Sequence, residues 1–88
     1  MHLSAILARS APQDMPKCIE ELEALPGVEV HYAYPESGQI IAVQEGTSVN
    51  QQQETLRQVQ SLSSVLMAEL VYHYNDAQEV DDNGRMEP

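Results

Sequence analysis

Val65 to Asn75, VLMAELVYHYN, is the longest apolar run of the chain, and its reading decides the fold. With period two it has two unlike rows. Leu66, Ala68, Leu70 and Tyr72 form one; Val65, Met67, Glu69, Val71 and His73 form the other. β-Branched and aromatic residues are frequent, and no Gly or Pro interrupts them, so the run reads as a strand. The first row is expected to face the core. The second carries Glu69 in its middle, and a lone carboxylate is costly to bury unpaired. That row is expected to face water or a partner.

Upstream, Ser63-Ser64 turns into this strand from a helix. The helix opens at Gly46-Thr47-Ser48, where Ser48 and Gln51 have capping-box spacing. Val49, Leu56, Val59 and Leu62 give it a thin apolar stripe, interrupted by Gln52. Before it, Val28–Tyr34 (VEVHYAY) and Gln39–Glu45 (QIIAVQE) flank the turn Pro35-Glu36-Ser37-Gly38 and read as a hairpin. Val28, Val30, Tyr32 and Tyr34 alternate with Glu29, His31 and Ala33, and Ile41 and Val43 are placed inward. An amphipathic helix precedes the hairpin. It starts between Pro12 and Met15, buries Met15, Cys18, Ile19, Leu22 and Leu25, and stops at Leu25-Pro26-Gly27. Leu3–Arg9, apolar in both rows, reads as a central strand.

The order strand, helix, strand, strand, helix, strand, with right-handed crossovers, puts both helices on one face. The fold class is therefore α+β, a ferredoxin-like split βαβ. Its four-stranded antiparallel sheet keeps one face free. Residues 1–75 make the single domain; 76–88, polar and acidic, are expected to form a disordered tail. The free face is expected to carry Ser4, Ile6 and Ala8; Glu29, His31 and Ala33; Ile40, Ala42 and Gln44; and Met67, Glu69, Val71 and His73.

The formal net charge is −10, from fourteen acids against four bases. No Lys/Arg stripe could neutralise phosphates, and the central strands carry no aromatic residues for base stacking, so nucleic acid is excluded as a partner. The same charge would steer cationic partners, although solubility alone also accounts for it. One cysteine permits no internal disulfide, and Cys18 on its apolar stripe reads as a small core side chain. The N-terminus lacks a basic region and a long apolar core, so it reads as mature structure. No segment approaches membrane-spanning length, so no membrane insertion is expected. A cytoplasmic location follows as the default.

No catalytic constellation emerges. Ser4 shares the expected free face with His31 and His73, but nothing selects a nucleophile–base pair. Phosphate-cradling glycines are missing. His31 and His73 fall on opposite edge strands without a partner cysteine pair, so neither metal nor cofactor is expected. Binding remains. Ile6, Ala8, Ile40, Ala42, Met67 and Val71 supply apolar rows, and Glu29, Glu69 and Glu45 supply charge. That combination suits a peptide with an apolar segment and positive charge. A homodimeric regulatory or assembly domain closing the same face is the alternative.

Leu70-Val-Tyr-His73 followed by acids resembles the end of the NapD family. Leu25-Pro-Gly-Val-Glu-Val30 resembles that family's first helix stop and second strand, and Ser37-Gly-Gln-Ile-Ile41 its hairpin and third strand. The resemblance covers nearly the whole chain up to Asn75. It implies a ferredoxin-like cytoplasmic chaperone without enzymatic activity. Such a chaperone binds the twin-arginine signal peptide of the periplasmic nitrate reductase catalytic subunit and delays its export until the molybdenum cofactor is inserted. The expected peptide-binding residues are Ile6, Ala8, Glu29, Ile40, Ala42, Met67, Glu69, Val71 and His73. The peptide is expected as an amphipathic helix across the free face, with strand addition as the second geometry.

Overall fold

The computed structural model describes the backbone of residues 2–75 and the side chains of residues 2–72. The expected tail and the side chain of His73 lie outside the described residues. The elements are β1 (His2–Arg9), α1 (Met15–Glu23), β2 (Val28–Tyr34), β3 (Gln39–Gly46), α2 (Val49–Gln60) and β4 (Met67–Asn75). All strand pairs are antiparallel and the sheet order is β2-β3-β1-β4. This is the expected ferredoxin-like arrangement. The last strand starts at Met67, two residues later than the apolar run suggests.

Local chemistry sets the ends. A 3-10 turn, Pro12–Asp14, leads into α1, where prolines cost no hydrogen bond in the first turn. Ser48 Oγ accepts the Gln51 N–H (3.1 Å) and caps α2. The reciprocal bond goes one residue further back than in a capping box, from the Thr47 N–H to Gln51 Oε1 (2.6 Å). Gly38 sits at φ +79°, and its carbonyl accepts the Ser10 N–H (2.9 Å), fastening the hairpin turn to the end of β1.

Both helices pack on one sheet face. Met15, Cys18 and Leu22 of α1 and Val59 of α2 meet a sheet surface of Ile6, Ala8, Val28, Ile40, Ala42 and Ala68. In β1 and β3 this corrects the expected placement. Ile6, Ala8, Ile40 and Ala42 were expected on the free face, yet all four are fully buried under the helices, with Ser4 and Gln44 beside them. Leu3, Ala5, Leu7, Ile41 and Val43 point the other way and are only partly covered. The physical reason is volume. Register pairs Ile6 with Ala42 and Ala8 with Ile40, so large and small residues alternate and the helices approach closely. A row of Leu3, Leu7, Ile41 and Val43 would hold them further off.

The edge strands depart for a second reason. The register shifts between Val30 and Tyr32 on β2, leaving His31 unpaired. It shifts again on β4, where Leu70 and Tyr72 face Ile6 and Ala5 and Val71 is the extra residue. A bulge advances the alternation by one residue. Ala33 therefore faces the helices with Val28 and Val30, whereas Tyr32 and Tyr34 face away. Tyr72 likewise leaves the expected core row. Leu66, expected in that row, precedes the strand and is 67% exposed.

Candidate functional site

No described element packs on the second sheet face. Cross-strand register gives it three rows, written in sheet order. Tyr34, Gln39, Arg9 and Met67 form the first; Tyr32, Ile41, Leu7 and Glu69 the second; Glu29, Val43, Ala5 and Tyr72 the third. Leu3 and Glu45 are paired beyond the third. The centre, Leu3, Ala5, Leu7, Ile41 and Val43, is thus an apolar stripe on the two inner strands. The edges carry tyrosines and acids, of which Tyr32 and Tyr72 are 60% and 56% exposed. An apolar patch with a polar rim is the signature of an interaction surface.

Charge on this face is graded. Glu45, Glu29 and Glu69 occupy one end and the middle, and Arg9 the far end. Near the acidic end, Gly27, Val28, Glu29, Val43 and Glu45 line a depression of about 250 Å³. Gly27, at φ +79°, closes it by accepting the Glu45 N–H (2.8 Å). His31 Nε2 stands 3.8 Å from Glu29 Oε1, and its ring meets Tyr32 edge-on at 6.4 Å. Of the residues expected at the site, Glu29, Met67 and Glu69 lie on this face, and Val71 is exposed at the β4 bulge. Ile6, Ala8, Ile40 and Ala42 belong to the core. Leu3, Ala5, Leu7, Ile41, Val43, Tyr32 and Tyr72 take their place. The repeat Glu-x-x-Tyr at Glu29–Tyr32 and Glu69–Tyr72 is the sequence signal that marks this face.

The helix side has its own shallow groove of about 260 Å³, lined by Val49, Gln52, Gln53, Leu56 and Leu70. It is apolar apart from its glutamines. Cys18 is buried, and burial pushes its thiol pKa up. Glu21 and Asp14 add to the rise, against a hydrogen bond from Ser64. A protonated, enclosed thiol is no nucleophile at neutral pH. Among the described residues no three His, Cys, Asp or Glu side chains gather into a metal site. No described helix is long and apolar enough to cross a membrane.

The profile of the family described as NapD protein matches residues 1–77. The chain belongs to the NapD family. No curated protein matches it significantly. Among solved structures it is similar to the solution structure of the E. coli Tat proofreading chaperone protein NapD. The two superpose with a TM-score of 0.77 and 26% identity, over 98% of this chain and 85% of the other. For this NapD-family chain, the likeness therefore runs over nearly the whole fold and not over a local segment.

Proposed function

We propose that this chain is a Tat proofreading chaperone whose open sheet face holds the twin-arginine signal peptide of a periplasmic nitrate reductase catalytic subunit. Holding the leader delays export until the molybdenum cofactor is in place. The chaperone works by binding and not by catalysis, and in the cytoplasm, where the leader is met before export. The observation that carries this reading is the stripe of Leu3, Ala5, Leu7, Ile41 and Val43, on which no described element packs, bordered by Glu29, Glu45 and Glu69. A leader of this kind has a basic start and an apolar middle, which complements that surface in both respects. Family membership and the likeness to the E. coli chaperone support the same reading. Self-association through the stripe is opposed by the net charge of −10 on each copy.

Titrating the chain with a synthetic leader peptide by calorimetry tests this. Binding should weaken when both arginines are changed to glutamine. It should fall about a hundredfold in the Leu7→Gln/Ile41→Gln variant, which removes two apolar contacts. No binding of the unmodified peptide at high micromolar concentration ends the reading.

A further inference from the structure

The two edge strands carry the same device. On β2, Glu29-Val30-His31-Tyr32 contains a bulge at His31; on β4, Glu69-Leu70-Val71-Tyr72 contains one at Val71. In a regular strand, residues three apart point to opposite faces. The extra residue cancels that, so each edge presents a carboxylate and a tyrosine ring together on the open face. β2 and β4 run in opposite directions in the sheet order β2-β3-β1-β4. The rows Tyr32–Ile41–Leu7–Glu69 and Glu29–Val43–Ala5–Tyr72 therefore exchange under a local twofold axis through the sheet. The result is two acid–aromatic corners, related by that axis, at opposite edges of one apolar stripe; the β2 corner also holds His31, where β4 has Val71.

A carboxylate beside an exposed aromatic ring is a guanidinium site. The acid takes paired N–H bonds and the ring takes the flat cation face. The corners are three strand spacings apart, roughly 14 Å. A helix with its side chains is about 10–12 Å wide and fits between them. Adjacent residues on a helix diverge by about 100°, so two neighbouring arginines astride the downward face leave on opposite sides. On an extended peptide they would point up and down, and only one could reach the sheet.

We infer that Glu29–Tyr32 and Glu69–Tyr72 are two separate arginine sites, each taking one of two adjacent arginines of a helical peptide seated on the stripe. This rests on the peptide-binding reading above and adds which residues read the arginine pair, and in what conformation. Among the described residues, His31 is the only cation-forming side chain that pairs with Glu29, and none pairs with Glu69.

Double-mutant cycles test the assignment. The peptide carries two adjacent arginines ahead of an apolar segment and is used intact and with either arginine changed to glutamine. Each form is titrated into the full chain and into its Glu29→Gln and Glu69→Gln variants, with circular dichroism as the fold control. Each glutamate should couple to one arginine only, and the two glutamates to different ones, with affinity losses of about tenfold. Tyr32→Leu and Tyr72→Leu should each lower affinity about threefold and follow the arginine of their own corner. Both glutamates coupling to the same arginine overturns the proposal. So does no coupling at all when Leu7→Gln/Ile41→Gln still weakens binding, a result that leaves the sheet-face reading standing. No binding to the unaltered chain removes both.

Discussion

Ser4 donates a hydrogen bond of 2.6 Å to Gln52 Oε1, joining the middle of β1 to the first turns of α2 across 48 residues of sequence. Both residues are buried. Gln44 Nε2 adds a 3.2 Å bond to the Gln52 carbonyl, while Gln44 Oε1 and Gln52 Nε2 have no partner among the described residues. An unpaired buried donor or acceptor costs more than a hydrogen bond contributes. Gln52→Leu alone should therefore destabilise by about 1–2 kcal/mol, because Ser4 loses its acceptor. Adding Ser4→Ala should restore most of that loss. Urea unfolding of the two single variants and the double variant gives the coupling directly. Additive effects would show that the pair is not a unit.

Neighbouring residues in β1 should behave oppositely. Ile6 is fully buried against the helices, so Ile6→Ala should cost about 2–5 kcal/mol. Leu7, next in the chain, faces out beside Ile41 and Glu69, and Leu7→Gln should cost about 1 kcal/mol or less while spoiling peptide binding. Leu70, 42% exposed beside α2, should lose only about 1–2 kcal/mol on change to alanine. Denaturant midpoints rank the three. Equal losses for Ile6→Ala and Leu7→Gln would place both faces of β1 in the core.

That contrast shows how far the sequence carries. Helical spacing in Met15–Leu25, the Pro26-Gly27 stop, the hairpin turn and the six-element order were all legible, because each is local chemistry. Which side of β1 and β3 meets the helices was not. Both rows of LSAILAR and QIIAVQE are apolar, and hydropathy cannot separate them. The choice falls to volume: Ala8 and Ala42 fit under a helix where Leu7 and Val43 do not. Nor can alternation survive an unseen bulge: a plain period of two turns Tyr32 and Tyr72 inward, and the register shifts turn them out. Gln52 looked like a break in the apolar stripe of α2. It is a buried member of it, made tolerable by Ser4 on a distant strand, while Val49 is 46% exposed.

Gly38 is constrained twice. Its φ of +79° disfavours any side chain, and a Cβ there would overlap the Ser10 carbonyl oxygen. Backbone cannot step aside as a flexible side chain can. Gly38→Ala should destabilise by about 2–4 kcal/mol, combining the left-handed cost with overpacking. Because the Ser10 N–H bonds the Gly38 carbonyl, amide exchange at Ser10 should accelerate as well. Exchange rates at Ser10 measured beside the thermal midpoint check this. A variant with the stability of the parent would mean that the turn can relax freely.

Cys18 offers a test of burial that is independent of the sheet face. Burial raises its thiol pKa above the unfolded value, with Glu21 and Asp14 contributing in the same direction. The folded chain therefore keeps its proton at a pH where the unfolded chain has begun to lose it. Its contribution to stability is fully present below the unfolded pKa, about 8.5, and is lost as pH rises from there through the higher folded value. Between about pH 8 and 9.5, below the main tyrosine and lysine titrations, the urea midpoint of the parent chain should fall more steeply than that of Cys18→Ala. The alanine variant will be less stable at neutral pH, since a buried side chain has been trimmed, so the slopes and not the absolute values decide. Iodoacetamide should label the thiol slowly in the native chain and rapidly in urea. Parallel pH slopes together with fast native labelling would mean that the thiol under α1 is open to solvent.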